Sequence, residues 1–238
     1  MHIALIGYGK MGQAIEEVAL HRGHEVVLKI DQPNLHEFTK ENLSKADVAI
    51  EFTGPHSAFD NVKKCLEFGV PVVCGSTGWA DKLEEMKKIC SDKNGAFIYS
   101  SNYSVGVNIF FEVNKKLAAL MTAHKEYEVI LEETHHTQKK DAPSGTAITL
   151  AEQILEQVKR KKQWVNELSD HPEDLEIISQ RIDNIPGTHS VKYSSAIDDI
   201  EIIHTAHNRK GFAFGALLAA EFLKDKKGFF AMKDVLNL

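Results

Sequence analysis

The sequence predicts an α/β protein, with a doubly wound parallel sheet in its N-terminal half and a second domain of α+β type. Three observations carry that expectation. An apolar run, Ile3 to Ile6, ends in three spaced glycines and a helix-like segment. Strand-like and helix-like runs then alternate to residue 104, the pattern of βαβ units. Beyond residue 105 the strand-like runs follow one another closely. A chain of 238 residues can form one or two domains around a substantial core.

The first unit reads as strand, Gly7-Tyr8-Gly9-Lys10-Met11-Gly12, helix, strand, acid. Ala14, Ile15, Val18 and Ala19 share one helical face, and Gly23 suits the position after the helix. A second strand, Glu25 to Ile30, ends at Asp31, 19 residues beyond Gly12. This is a Rossmann-type dinucleotide fingerprint. Gly7 makes the tight turn, Gly9 lets the backbone approach a pyrophosphate, and Gly12 lets helix and strand pack closely. Helix amides face the phosphates, and Asp31 accepts from a ribose hydroxyl. Tyr8, Lys10 and Met11 complete the candidate cofactor loop. Gln32 and Pro33 follow Asp31, with no arginine for a 2′-phosphate, which favours NADH over NADPH. Lys29, or a lysine from elsewhere, could still reach such a phosphate, so both coenzymes stay open.

The alternation continues through strands at 47–52, 70–74 and 96–100, with helices through Phe59, Val62 and Leu66 and from Asp81 to Lys93. These strands run into Thr53-Gly54-Pro55, Gly75-Ser76-Thr77-Gly78 and Ser101-Asn102-Tyr103-Ser104. In doubly wound sheets ligands sit beyond the carboxyl ends of the strands. Each loop alone is an ordinary turn; three on one edge make candidates for the nicotinamide end.

After a long apolar helix, Val105 to Met121, the sequence predicts a strand from Tyr127 to Glu133 and a helix from Thr146 to Val158. Residues 163–174 read as a surface loop. Three strand-like runs, at 175–182, 190–196 and 200–206, are close enough in sequence to suggest antiparallel pairing. The apolar helix from Phe212 to Leu223 is expected to return to the first domain's sheet. The domains are then 1–104 plus 210–238, for dinucleotide binding, and 105–209, for substrate and oligomerisation. Two crossings, near 104 and 209, would make a hinge.

Between the strand and helix of the second half lies Glu133-Thr134-His135-His136-Thr137-Gln138-Lys139-Lys140-Asp141-Ala142-Pro143-Ser144-Gly145-Thr146. Ser144 can cap the helix, and the amides of Gly145 and Thr146 would offer a carboxylate pocket at its N-terminus. Lys139 and Lys140 add positive charge. His135 and His136, adjacent at a strand end, should point to opposite sides. Histidine is the usual proton carrier near neutral pH. Arg181 and Arg209 are further basic groups. His204-x-x-His207 has metal-like spacing, but on a strand the two point apart and no acid or cysteine completes a set, so no metal is expected.

Composition excludes other classes. The balance of 28 Lys+Arg against 34 Asp+Glu, net −6, invites neither nucleic acid nor an anionic membrane. The N-terminus has no basic region and too short an apolar run for a signal peptide or span. Cys65, Cys74 and Cys90 suit a reducing cytoplasm.

Together these motifs resemble the 4-hydroxy-tetrahydrodipicolinate reductase (dihydrodipicolinate reductase) family over nearly the whole chain. The most specific piece is His-His-x-x-Lys-x-Asp-Ala-Pro-Ser-Gly-Thr, from His135 to Thr146. The resemblance implies reduction of a small cyclic dicarboxylate by NADH or NADPH in lysine and diaminopimelate biosynthesis, by a homotetramer. It implies that His135 is the general acid/base and Lys139 the proton donor. His136, Lys139, Ser144, Gly145 and Thr146 would hold substrate carboxylates. Phe52, Thr53, Gly75, Ser76, Thr77, Ser101 and Tyr103, with Arg209, would join Gly7 to Gly12 and Asp31 around the cofactor. Two positions depart from the family pattern: Asp183 replaces a glycine, and Phe214 an asparagine. The rival readings are a dehydrogenase of another small acid, which leaves the His-His-x-x-Lys cluster unexplained, and an NAD(H)-sensing regulator, which lacks a basic DNA-binding segment.

Overall fold

The structure, a computed structural model, describes residues 1–208 and 210–238; Arg209, assigned above to the cofactor side, lies outside the described residues. The chain forms two compact units, Met1–Val105 with the chain after Asn208, and Gly106–Asn208.

The elements run β1 (His2–Ile6), α1 (Lys10–His21), β2 (Glu25–Ile30), α2 (Lys40–Leu43), β3 (Val48–Glu51), α3 (Ala58–Glu67), β4 (Val72–Cys74), α4 (Leu83–Asp92) and β5 (Ala96–Tyr99). The second unit carries α5 (Val105–Met121), β6 (Glu128–His135), α6 (Gly145–Gln157), β7 (Gln163–Val165), β8 (Asp174–Arg181), β9 (Gly187–Ser194) and β10 (Asp199–Ala206). The chain ends with α7 (Lys210–Leu223), β11 (Gly228–Phe230) and α8 (Met232–Leu236).

The first unit's sheet is parallel throughout, in the order β11-β5-β4-β3-β1-β2. Alternate residues of each strand feed opposite layers, as a sheet covered on both faces requires. Ala4 and Ile6 join Val62, Leu66 and Met86 in one core, while Ile3 and Leu5 join Ile15, Leu217 and Leu223 in the other. The return of α7 to this sheet is therefore as expected. Its close approach needs Gly215, where a Cβ would lie 1.7 Å from the Tyr103 carbonyl oxygen. Phe214, one of the two departures, points outward, 37% exposed, beneath the Arg22 guanidinium. The tail contributes a sixth strand, β11, which the sequence did not reveal. Three residues carry no readable period; its place is secured by pairing with β5 and by Phe229 against Phe97.

The second unit's sheet has the order β10-β9-β6-β8-β7. Of the three runs expected to pair antiparallel, β9 and β10 do so, but β8 does not join them: it lies parallel between β6 and β7, and β9 pairs antiparallel with β6 instead. Helix α6 lies in the connection from β6 to β8, the kind of crossover that parallel neighbours need. Strand β7 lies inside the stretch expected to be a surface loop. Helices α5 and α6 pack Phe110, Met121, Leu150 and Ile154 onto Leu131, Ile177, Val191 and Tyr193.

Among the described residues no helix is long and apolar enough to cross a membrane. Cys65, Cys74 and Cys90 are buried and unbonded.

Candidate active site

The cofactor side is built on backbone. Gly7 follows β1 at φ +93°, and a Cβ there would lie 2.2 Å from the Phe52 carbonyl oxygen. At Gly12 a Cβ would lie 2.3 Å from the Gly7 oxygen, so neither position accepts a side chain without movement. Gly9 faces open space and starts α1 with no side-chain cap, so the first amides of the helix remain for an anion. A cavity of about 590 Å³ opens here, lined by Gly7, Gly9, Asp31 and Thr53 and also by His56 and Asn61. The last two were not picked out from sequence; both follow the β3 loop, where only a helix was predicted.

Asp31 is exposed at the end of β2, and its carboxylate accepts from the Gln32 amide at 2.8 Å. Lys29 is engaged elsewhere: its ammonium lies 2.7 Å from Glu16 and 4.8 Å above the Tyr8 ring, while the Tyr8 hydroxyl donates to Glu16. Lys10 is exposed and Met11 half-buried.

One buried carboxylate ties the loop after β3 to the end of β4. Glu51, 0% exposed, accepts from the amide and hydroxyl of Thr53 and lies 3.0 Å from Cys74 Sγ. Ser76 is buried and accepts from the Thr53 amide at 2.8 Å, while Thr77 is exposed. The Phe52 ring occupies the space a Cβ on Gly75 would need. Tyr103 is 2% exposed; its ring packs on Phe52 and its hydroxyl donates to the Cys74 carbonyl at 2.7 Å. It supports the loops from below. Ser101 is exposed at the sheet edge.

In the second unit β6 alternates, placing Glu133 and His135 on its buried face. His136 lies just past the strand and is half-buried. Strand register then gathers partners. Glu133 sits opposite His189 of β9, and His135 opposite Arg181 of β8. Glu133, 1% exposed, accepts from the Ser144 amide at 3.1 Å, Ser179 Oγ at 2.8 Å and Arg181 Nη2 at 3.3 Å. His135 Nδ1 lies 3.5 Å and His189 Nε2 3.6 Å from its other oxygen. Burial raises the Glu133 carboxyl, but hydrogen bonds from His189, Ser144 and Ser179 outweigh it and hold the group well below the usual range. Burial, joined by the charges of His189, Lys139 and Arg181, pulls His135 down to about 4. His135 is therefore neutral at neutral pH. The ligand-type atoms of Glu133, His135 and His189 fall within 4.8 Å of one another. Arg181 and the Ser144 and Ser179 donors already occupy the carboxylate.

Ser144 caps α6 as expected, accepting from the Ala147 amide at 3.2 Å. Its hydroxyl also shares a 3.0 Å hydrogen bond with His189, and the residue is 3% exposed, so it faces inward. At the helix start Gly145 is exposed and Thr146 half-buried. The Lys139 ammonium lies 2.8 Å from both Asp141 oxygens. Arg181 donates to the Lys139 and Asp141 carbonyls, stitching this loop to β8. Asp183, the other departure, accepts from the Thr137 hydroxyl and ties down the same loop. His204 packs on Phe110, and His207 is exposed.

A glycine-turn dinucleotide cradle on a doubly wound sheet, with a proton-carrying cluster in a second unit, defines a pyridine-nucleotide-dependent oxidoreductase. The chain belongs to the dihydrodipicolinate reductase family: its N-terminal family model matches residues 1–103 and its C-terminal one residues 106–236. A 4-hydroxy-tetrahydrodipicolinate reductase of Christiangramia forsetii is 51% identical over 241 residues, covering 100% of this chain and 98% of that protein. One of Alkaliphilus oremlandii is 34% identical, covering 97% and 95%. A dipicolinate-bound dihydrodipicolinate reductase from Paenisporosarcina sp. TG-14 shares the fold, with a TM-score of 0.77 at 24% identity and 97% of each chain covered.

Proposed function

We propose that this chain reduces 4-hydroxy-tetrahydrodipicolinate to tetrahydrodipicolinate in lysine and diaminopimelate biosynthesis. The observation that carries the reading is the His135–Lys139–Ser144 cluster, folded around Glu133 within a chain 51% identical to a reductase of that name. The reaction consumes one hydride and one proton and releases the ring hydroxyl as water. When bound, the reduced nicotinamide supplies the hydride; the glycine turn, the uncapped start of α1 and Asp31 fit such a group.

The remaining chemistry falls to side chains. Lys139 donates the proton, since His135 is neutral before substrate arrives. Neutral His135 accepts a hydrogen bond or a proton from the ring, and a bound dianion favours its protonated form. The start of α6 at Gly145 and Thr146, with His136 and Lys139, holds the carboxylates, while Ser144 keeps the helix start in place. No metal is required. NADH is the preferred coenzyme, a reading supported by Asp31 in the lining of the glycine-turn cavity and by the engagement of Lys29 with Glu16. The protein works in the cytoplasm, a reading its three free thiols support. It assembles as a homotetramer through the second unit's sheet, where Ile200 and Ile203 on edge strand β10 are 39% and 58% exposed; a solution mass of four chains is the check.

The test supplies enzymatically generated 4-hydroxy-tetrahydrodipicolinate and follows oxidation of NADH and NADPH separately. Both should be consumed, NADH with the higher kcat/KM. Consumption of neither overturns the function, and a clear NADPH advantage overturns the coenzyme preference alone.

A further inference from the structure

The donors around Glu133 exceed what a buried carboxylate needs. Ser144, Ser179 and Arg181 already satisfy it, yet two imidazoles also face it, His135 Nδ1 at 3.5 Å and His189 Nε2 at 3.6 Å. Both rings are at least nine-tenths buried and stand edge to face, with centroids 5.0 Å apart. His135 Nδ1 has no hydrogen-bond partner, and 3.5 Å is a distance that shortens once the ring gains a proton. The opposite side of the ring meets Gly187, where a Cβ would lie 3.0 Å from Nε2. That nitrogen is left uncovered by the absence of a side chain. His189 is tied to the start of α6 through its 3.0 Å bond with Ser144 Oγ.

We propose that Glu133 and His189 are positioning residues for His135: Glu133 turns Nδ1 inward and leaves Nε2 for the substrate, and His189 competes with His135 for the same carboxylate. The inference rests on the reading that His135 handles the proton. A proton on His135 is opposed first by burial of the ring, then by His189 from β9, Lys139 from the following loop and Arg181 from β8, and is favoured by Glu133 from its own strand. Two imidazolium rings at this separation repel, so the carboxylate accommodates one proton at a time. Burial and His189, set against Glu133, thus keep His135 neutral until an anionic substrate changes the balance. His189 becomes the device that sets when His135 takes its proton, and Ser144 links that device to the carboxylate pocket.

The test is a pH titration of the histidine ring protons by NMR on the full chain without ligands. The His135 signal is identified by its loss in His135→Gln. In His189→Gln, whose amide can keep the Ser144 contact, the His135 midpoint should rise by about one pH unit from near 4. In Glu133→Gln it should move the other way. A packing role alone would not produce opposite shifts. The acid limb of the kcat profile should follow the midpoint in His189→Gln, with the KM for NADH unchanged. If Glu133→Gln does not fold, His189→Gln decides alone: an unmoved or lowered midpoint in a folded protein overturns the proposal. The titration is read without substrate, so turnover of His135→Gln tests the role of His135 separately.

Discussion

Glu51 and Glu133 are both buried carboxylates near the carboxyl ends of strands, one in each unit, and they are surrounded in opposite ways. Glu51 meets neutral partners: the Thr53 amide and hydroxyl, Asn61 Nδ2 at 3.4 Å and the Cys74 thiol. Glu133 meets Arg181 and two imidazoles besides its neutral donors. Neutral dipoles can fix a loop, and they hold the one that carries Thr53 toward the cofactor cavity. Cations and rings that exchange protons can do more, because their charge decides which neighbour is protonated. The cofactor side is accordingly a matter of backbone shape, and the second unit's cluster a matter of proton balance.

Replacing each carboxylate by its amide separates the two cases. Glu133→Gln leaves Arg181 facing a neutral group and should cost about 3–5 kcal/mol, the range for breaking a buried charged pair. Glu51→Gln keeps neutral partners that can re-pair and should cost about 1–2 kcal/mol. Equal losses in chemical unfolding would erase the distinction. A smaller effect concerns pH. His135 has its folded value depressed from 6.5 to about 4, so its contribution to stability is fully present above pH 6.5 and is lost as pH falls toward 4. Glu133, also depressed, adds its loss as pH falls from about its unfolded value of 4.5 downward. Thermal denaturation should therefore show a shallower decline between pH 6.5 and 4 in His135→Gln than in the unmodified chain. Parallel declines would mean that His135 is not held neutral in the fold.

The same contrast governs what the sequence disclosed. Glycine turns are legible because only glycine satisfies them: Gly7 needs a positive φ, and Gly7 and Gly12 both need space no Cβ would leave. The first five strands and the long helices were legible from period and length. Strands β7 and β11, three residues each, were not. The Glu133 cluster shows the deeper limit. Its glutamate and His135 stand in a recognisable motif, but His189 falls just before the strand expected at 190–196. Only when β9 begins at Gly187 does His189 alternate inward, and only the register of β6 with β9 brings it opposite Glu133. Register between strands distant in sequence leaves no local periodicity. The inward commitment of Ser144 and the loop-clamping role of Arg181 were hidden for the same reason.

The division of labour between the units is tested most directly by comparing turnover with coenzyme affinity in Lys139→Ala and His135→Gln. Both should lower kcat about 100-fold or more while leaving the Kd for NADH within about twofold of the unmodified chain. Near-normal turnover in either variant, or a loss explained by weakened NADH binding, would contradict the account.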